Sequence, residues 1–288
     1  MNLREKLASA KFVVTCEVGP PKGVDVSDMH RSADGVRGKV DAVNVTDQQS
    51  SVMRLGSLAG CVLLKQWGIE PVLQITCRDR NRIALQSDLL SAYALGIENV
   101  LCLTGDYVTL GDHPEAKPVF DLDSVSLLEA AVNLEEGRDL AGKKLKGSPT
   151  FFLGACVSPE ADLLEPQIMK MEKKVEAGAL FFQTQAIYDA KKLADFMSMV
   201  RYLDVPILAG VVVLRSAAMG RYMNEKTAGI RVPEKLIDEM DKASDKEAKG
   251  VEIAARTISE IRGLCQGVHI MTIGMEKRIS GIIDAAGL

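Results

Sequence analysis

Val100-Leu101-Cys102-Leu103-Thr104-Gly105-Asp106 is a short apolar run that ends abruptly in a glycine and a carboxylate. A run of this kind, bounded by turn chemistry, reads as a parallel strand buried on both faces. In α/β proteins a polar residue at the carboxyl end of such a strand projects into the crevice where ligands bind. Asp106 is therefore expected to be placed for chemistry. The competing expectation is that it caps the following turn, a common role for aspartate.

Runs of the same type recur at 12–18, 42–46, 72–77, 100–104, 150–156, 180–184, 207–213 and 268–273. Helical patterns lie between them at 26–38, 54–67, 82–95, 124–136, 163–177 and 190–202, followed by a pair of helices within 215–264 and a last one at 275–286. Strands and helices alternating in this number predict an α/β fold, a single (β/α)8 TIM barrel. A doubly wound open sheet uses the same units, but no Gly-x-Gly-x-x-Gly turn follows the first strand to hold a dinucleotide. Gly96 and Gly178, each just before a strand, supply the left-handed residue that closes a helix. No linker or compositional break divides residues 1–288, so one domain is expected. Of two longer connections, 107–123 follows a strand and should lie at the catalytic face; 224–249 is charged and is expected to be helical or solvated.

The 288 residues are 47% hydrophobic and 26% charged, enough for a substantial core. A net charge of -4 leaves no global basic field, which argues against a nucleic-acid partner and for a small molecule. No apolar run reaches the roughly 18 to 20 residues of a membrane span, and charges at 1–11 argue against a signal peptide, so a cytoplasmic location is expected. The six cysteines form no Cys-x-x-Cys pair and are expected to be reduced, structural residues. His30, His113 and His269 lack ligand spacing, and no metal site is assigned.

In a barrel the carboxyl ends of the strands converge. Strand one delivers Glu17 before Val18-Gly19-Pro20-Pro21, strand two Thr46 and Asp47, strand three 76–79, strand four 104–106, and strand six Thr184 and Gln185. Apolar neighbours desolvate Glu17 and raise its pKa toward the range of a general acid; the alternative is an ordinary loop-end glutamate. Two carboxylates entering one cavity favour acid–base or cation-stabilising work. Lys170, Lys173 and Lys174 recur at helical spacing. On their own they read as a solvated face, with a diphosphate site as the alternative.

The blocks Glu17-Val18-Gly19-Pro20-Pro21-Lys22-Gly23, Thr76-Cys77-Arg78-Asp79-Arg80-Asn81, Leu85-Gln86-Ser87-Asp88-Leu89-Leu90, Leu103-Thr104-Gly105-Asp106, Phe120-Asp121-Leu122-Asp123-Ser124 and Thr184-Gln185 through Asp189 occur in this order. Together they resemble the 5,10-methylenetetrahydrofolate reductase family over nearly the whole chain. The resemblance implies FAD at the carboxyl face of the barrel, with 5,10-methylenetetrahydrofolate stacked on its isoalloxazine ring. It implies that Glu17 assists protonation of folate N10, that Asp106 lies near flavin and pterin, and that Gln185 binds folate. By the same likeness Thr46, Gln74, Thr104, Gly105, Asp106, Ala155 and Cys156 fall at flavin-contacting positions. Gln167, Lys170, Lys173 and Lys174 fall on the helix that holds ribose and diphosphate, which shifts the reading of the lysines toward cofactor binding.

This chain also departs from the family pattern. NADH-using bacterial members carry an aromatic residue shortly after strand seven, where this chain reads Leu214-Arg215-Ser216-Ala217, and a tyrosine on strand eight, where it has Met271. Direct use of NADH is therefore in doubt. The expected form is an acetogen-type catalytic subunit fed by an iron-sulfur or zinc-containing electron-donating partner. A shortened segment after strand five, Gly154 to Pro159, leaves a flavin-free pterin-binding methyl-transfer barrel as an alternative, and a non-catalytic interaction subunit that keeps the fold is the third reading.

Overall fold

A computed structural model describes residues 1–227 and 229–288. The short apolar runs become eight parallel strands: β1 (Val13–Val18), β2 (Ala42–Val45), β3 (Pro71–Thr76), β4 (Asn99–Leu103), β5 (Phe152–Val157), β6 (Phe181–Ala186), β7 (Ile207–Val212) and β8 (Gly267–Met271). They pair in sequence order, and β1 also pairs with β8, so the sheet closes as the TIM barrel expected and the open doubly wound alternative is excluded. The helices are α1 (Leu3–Ala8), α2 (Ser27–Val36), α3 (Ser57–Gln66), α4 (Arg82–Ala94), α5 (Ser124–Glu135), α6 (Leu164–Glu176), α7 (Ala190–Val200), α8 (Ala217–Lys226), α9 (Glu234–Lys242), α10 (Lys246–Ile261) and α11 (Ile279–Ala285). Gly96 and Gly178 carry φ of 77° and 107°, the left-handed closures expected at those turns. Among the described residues no helix is long and apolar enough to cross a membrane.

Strand alternation sorts each strand into an outward set that packs on helices and an inward set that fills the barrel. Outward residues such as Cys16, Val45, Ile75, Cys102 and Ile270 join the helix-facing cores. The inward set is graded from end to end. At the amino-terminal end Val13, Ala42, Val72, Leu101, Phe152, Phe181 and Leu208 form an apolar plug, in which Phe152 and Phe181 stack 4.8 Å apart. Above it the inward positions turn polar. Asn44 and Gln183, both buried, exchange amide hydrogen bonds across the interior at 2.8 and 3.2 Å. Thr15 Oγ1 lies 2.9 Å from Nδ1 of buried His269, whose ring burial pushes down to about 3 and so keeps neutral.

Two features depart from the sequence expectation. Helix α1 lies ahead of the first strand, with Asn2 and Glu5 forming a capping box and Leu3 and Leu7 buried in the apolar plug. The Asn-x-x-Glu signal was present in the sequence. Between β7 and β8 the described residues form three helices rather than a pair. Pro233 starts α9 and the Asp245 carboxylate caps α10, because proline cannot extend a preceding helix and aspartate favours an N-cap.

The reciprocal amide pair is the polar layer's main constraint, because removing one partner strands the other away from water. Asn44→Ala is expected to cost about 2 to 4 kcal/mol of unfolding free energy. Replacing both partners with aliphatic residues of similar volume should cost less than that single change. Urea denaturation of the three proteins checks the order.

Candidate active site

Glu17 is the last inward residue of β1. Its carboxyl group is buried, and its hydrogen bond from Gln49 Nε2 is long, at 3.4 Å. Burial raises its pKa to about 7, opposed by the Gln49 bond and reinforced by the negative charge of Glu276 beyond β8. The neighbouring aspartate on the β2 side has a different environment. Asp47 accepts from Thr76 N at 2.8 Å, from Thr76 Oγ1 at 3.1 Å and from both terminal nitrogens of Arg80 at 2.7 and 3.1 Å. It is a compensated structural charge, whereas among the described residues no cation pairs with Glu17, which stays poised between protonation states near neutral pH.

Asp106 follows β4 after Gly105, whose φ is 97°. A Cβ on Gly105 would stand 3.0 Å from Arg78 Cβ and 3.1 Å from Thr76 Cβ, so both conformation and space favour glycine. Among the described residues no hydrogen bond or ion pair engages the Asp106 carboxylate, and the residue is exposed. The capping alternative fails: the next helical turn shows no side-chain cap, and α5 is capped by Asp123. The 107–123 connection lies at the carboxyl face as expected. It is tied to the β2–α3 loop, where Ser51 Oγ donates to the carbonyls of Asp106 and Tyr107 at 3.3 and 2.9 Å. Asp112 receives Lys22 and, at 3.1 Å, Met53 N.

The remaining expected site residues divide by geometry. Thr46 and Gln74 occupy inward positions near the mouth, and Thr46 Oγ1 is buried with no hydrogen-bond partner among the described residues. Thr104 Oγ1 accepts from Ser124 N at 3.2 Å, so its hydroxyl helps hold the start of α5. Ala155 points outward into the helix layer, leaving only its main chain for a ligand. Cys156 is inward and half-buried; burial pushes its thiol up to about 11, so it faces the interior uncharged. Gln185 is half-exposed at a register shift between β6 and β7. Gly210 permits that bulge, because a Cβ there would lie 2.3 Å from the carbonyl oxygen of Thr184.

On α6, Gln167 is half-exposed while Lys170 and Lys173 are exposed. Lys174 differs from a solvated lysine: it is buried, and its Nζ donates to the carbonyl oxygen of Cys156 at 2.5 Å. Helical spacing puts Gln167, Lys170 and Lys174 on one stripe and turns Lys173 about 100° away from Lys174. Beside Gly105 lies a cavity of about 380 Å³ lined by Thr104, Gly105, Tyr107, Phe120, Asp121, Leu122, Asp123 and Ser126.

Gln49 is not among the residues expected at the site, and Arg78 is expected there only as part of the 76–79 strand end, with no role of its own. The signal of Gln49 is weak, since a glutamine beside serines reads as solvated loop. Gln49 became visible only when the β2–α3 loop was folded over β1. The orphaned Thr46 hydroxyl, the bare Gly105 surface and the adjoining cavity fit a planar, hydrogen-bonding group of flavin type at the mouth.

A family model described as methylenetetrahydrofolate reductase matches residues 2–287. Methylenetetrahydrofolate reductase 2 of Schizosaccharomyces pombe is 26% identical over 76% of this chain and 36% of its own length. Methylenetetrahydrofolate reductase 1 of the same organism is 24% identical over 100% of this chain and 49% of its own length. The chain thus spans about a third to a half of these curated relatives. Among solved structures, an uncharacterized protein from Clostridium thermocellum, described as binding two copies of 5-methyl-5,6,7,8-tetrahydrofolic acid, superposes with a TM-score of 0.71. It covers 99% of this chain and 97% of its own, and at 17% identity the likeness establishes the fold alone.

The raised pKa of Glu17 has a stability consequence with a definite sign. The folded protein keeps a proton between 4.5 and about 7 that the unfolded chain gives up. The resulting stabilisation is full below pH 4.5 and is lost as pH rises through about 7. Relative to Glu17→Gln, the wild type should lose about 3 kcal/mol of unfolding free energy across that window. Denaturation curves of the two proteins at a series of pH values check it; parallel pH profiles would place the carboxyl group in water.

Proposed function

The chain belongs to the methylenetetrahydrofolate reductase family, and on that premise we propose that it is a flavin-dependent reductase converting 5,10-methylenetetrahydrofolate to 5-methyltetrahydrofolate. The observation that carries the reading is Glu17, a buried carboxyl group at the mouth of the barrel with no paired cation among the described residues and a pKa near neutrality. A general acid works best when its pKa lies near the working pH.

FAD fits the carboxyl face of the barrel. Thr46 and Gln74 offer inward polar groups, and Gly105 offers close main-chain approach. Thr104 and the main chain of Ala155 and Cys156 complete the surround, while Gln167, Lys170 and Lys173 would meet ribose and diphosphate from α6. Lys174 acts from beneath, fixing the end of β5 through the Cys156 carbonyl while adding positive charge near the same stripe. The cofactor, when bound and reduced, supplies the hydride that the substrate carbon accepts.

The chain's own groups account for the rest. Protonated Glu17 gives its proton to folate N10 as the bond from N10 to the methylene carbon breaks, leaving a cationic carbon–nitrogen double bond at N5. Asp106, unpaired with any side chain, stabilises that cation, and the effect grows when a ligand seated over Gly105 excludes water. Hydride addition then neutralises the cation as the methyl group forms. Glu17, left ionised, regains a proton from solvent before the next turnover. Gln185, at the β6 bulge, holds the pterin edge by hydrogen bonding.

Electrons are proposed to arrive from a partner subunit carrying an iron-sulfur or zinc centre. The support is at the end of β7, where Leu214 and Ala217 are buried in the α8–α9 cluster and Arg215 is exposed, with Met271 at the end of β8. No aromatic ring occupies 214–217 for a nicotinamide to stack on. The isolated protein should oxidise NADH slowly with a free flavin acceptor, and rapid oxidation would remove the need for a partner.

A flavin-free reading has one observation in its favour, the folate described for the Clostridium thermocellum protein. The absorbance spectrum of the purified protein separates the two, stoichiometric FAD bands being expected. Glu17→Gln should retain those bands and lower folate reduction by about a hundredfold or more. Asp106→Asn should slow reduction and raise the flavin potential. Wild-type turnover in both variants would end the reductase mechanism as stated.

A further inference from the structure

The loop between β2 and α3 combines backbone strain with a buried charge. Gln48, Ser50 and Ser51 are non-glycine residues with φ of 50°, 56° and 59°, so three of four consecutive positions are left-handed. Such conformations persist only where surrounding contacts impose them. The contacts here come from Arg78, which is 2% exposed. Its Nη1 donates to Ser51 Oγ at 3.1 Å and its Nη2 to the Gln48 carbonyl at 3.4 Å, while Nε and Nη2 grip Asp79 at 2.9 and 2.6 Å. Ser51 passes the connection on to the carbonyls of Asp106 and Tyr107. Gln49, between the residues that Arg78 holds, carries the amide that reaches Glu17.

We infer that Arg78 is a positioning residue that sets the two proposed catalytic carboxylates relative to one another, acting through Ser51 on the Asp106 main chain and through the strained Gln48–Ser51 turn on the Gln49–Glu17 contact. The inference deepens the reductase reading and rests on it for the roles of Glu17 and Asp106. A guanidinium suits the task because its planar fork binds Asp79 on one edge and still reaches two acceptors on the other loop. Arg78 touches neither carboxylate itself, so its effect travels through the turn.

Ser51→Ala removes the hub hydroxyl and leaves Arg78 in place, which makes it a milder probe than Arg78→Ala, a change that strips a buried charge and can unfold the chain. The ionisable groups that act with Glu17 are Cys16 on its own strand and Glu276 beyond β8, while Asp47 at the end of β2 is paired with Arg80. None is altered by these substitutions. The first measurement follows the Glu17 carboxyl band by infrared difference spectroscopy across pH in protein without folate, the band being assigned by its loss in Glu17→Gln.

The Gln49 amide stabilises the ionised form, so freeing it should raise the Glu17 midpoint by about half a pH unit in Ser51→Ala, Arg78→Lys and Gln49→Ala alike. Ser51→Ala combined with Gln49→Ala should shift it no further than either alone. In turnover, Ser51→Ala should lower kcat about tenfold with KM for the folate within about twofold, moving the alkaline limb upward with the spectroscopic midpoint. If Gln49→Ala moves the midpoint and Ser51→Ala and Arg78→Lys do not, Arg78 does not hold the turn and the inference is overturned. An unmoved midpoint in all three also overturns it. Because the infrared titration needs no turnover, a wild type inactive toward folate would count against the reductase reading alone.

Discussion

Closing eight parallel strands into a barrel sends alternate residues of every strand into one narrow interior, and the rest of this molecule follows from how that interior is filled. The amino-terminal end is packed with apolar side chains and sealed from below by Leu3 and Leu7 of α1. The middle carries two amides that satisfy one another and a neutral imidazole paired with the Thr15 hydroxyl. Only at the carboxyl end do carboxylates and free hydroxyls face the opening. A barrel polar from end to end would lose its core, and one apolar from end to end would present nothing to a ligand. The grading supplies rigidity below the chemistry and polarity beside it.

The carboxylates at the mouth are differentiated by their neighbours rather than by residue type. Asp47 is buried but saturated with donors and held by Arg80, so it works as a brace between β2 and β3. Glu17 is buried with one weak donor and an acidic neighbour, so its proton is retained toward neutral pH. Asp106 is exposed and unengaged, on a chain segment fixed by its main chain. Brace, acid and free anion thus sit on three strand ends of one sheet. Desolvation without compensation distinguishes the acid from the brace.

Much of this was legible in the sequence. Periodicity marked all eight strands and the helices between them, since a buried parallel strand is a short apolar run and an amphipathic helix a longer one with a different period. Glu17 was readable as a desolvated acid from its apolar neighbours and the Pro20-Pro21 turn. Most boundaries moved by a residue or two, as element ends fray, while α3 and α11 start three and four residues later than expected. Helix α1 carries little periodic signal because it buries only two leucines and its capping box is four residues at the start of the chain. The split of 215–264 into three helices lay in Pro233 and Asp245, local signals weaker than the overall helical pattern.

The sequence by itself determined which residues alternate, where strands stop and which side chains carry charge, because these depend on neighbours along the chain. The tertiary structure decided what each charge does. Lys174 shares its helix with Lys170 and Lys173, yet packing turns it inward onto the Cys156 carbonyl. Ala155 and Cys156 are adjacent, yet the pleat sends one into the helix layer and the other into the barrel. Arg78 is placed by the sequence only at a strand end, yet the fold buries it and ties it to the β2–α3 loop about thirty residues earlier in the chain. Burial and partnership are properties of segments distant in the chain, and they set whether an ionisable group is a brace, an acid or a hinge pin.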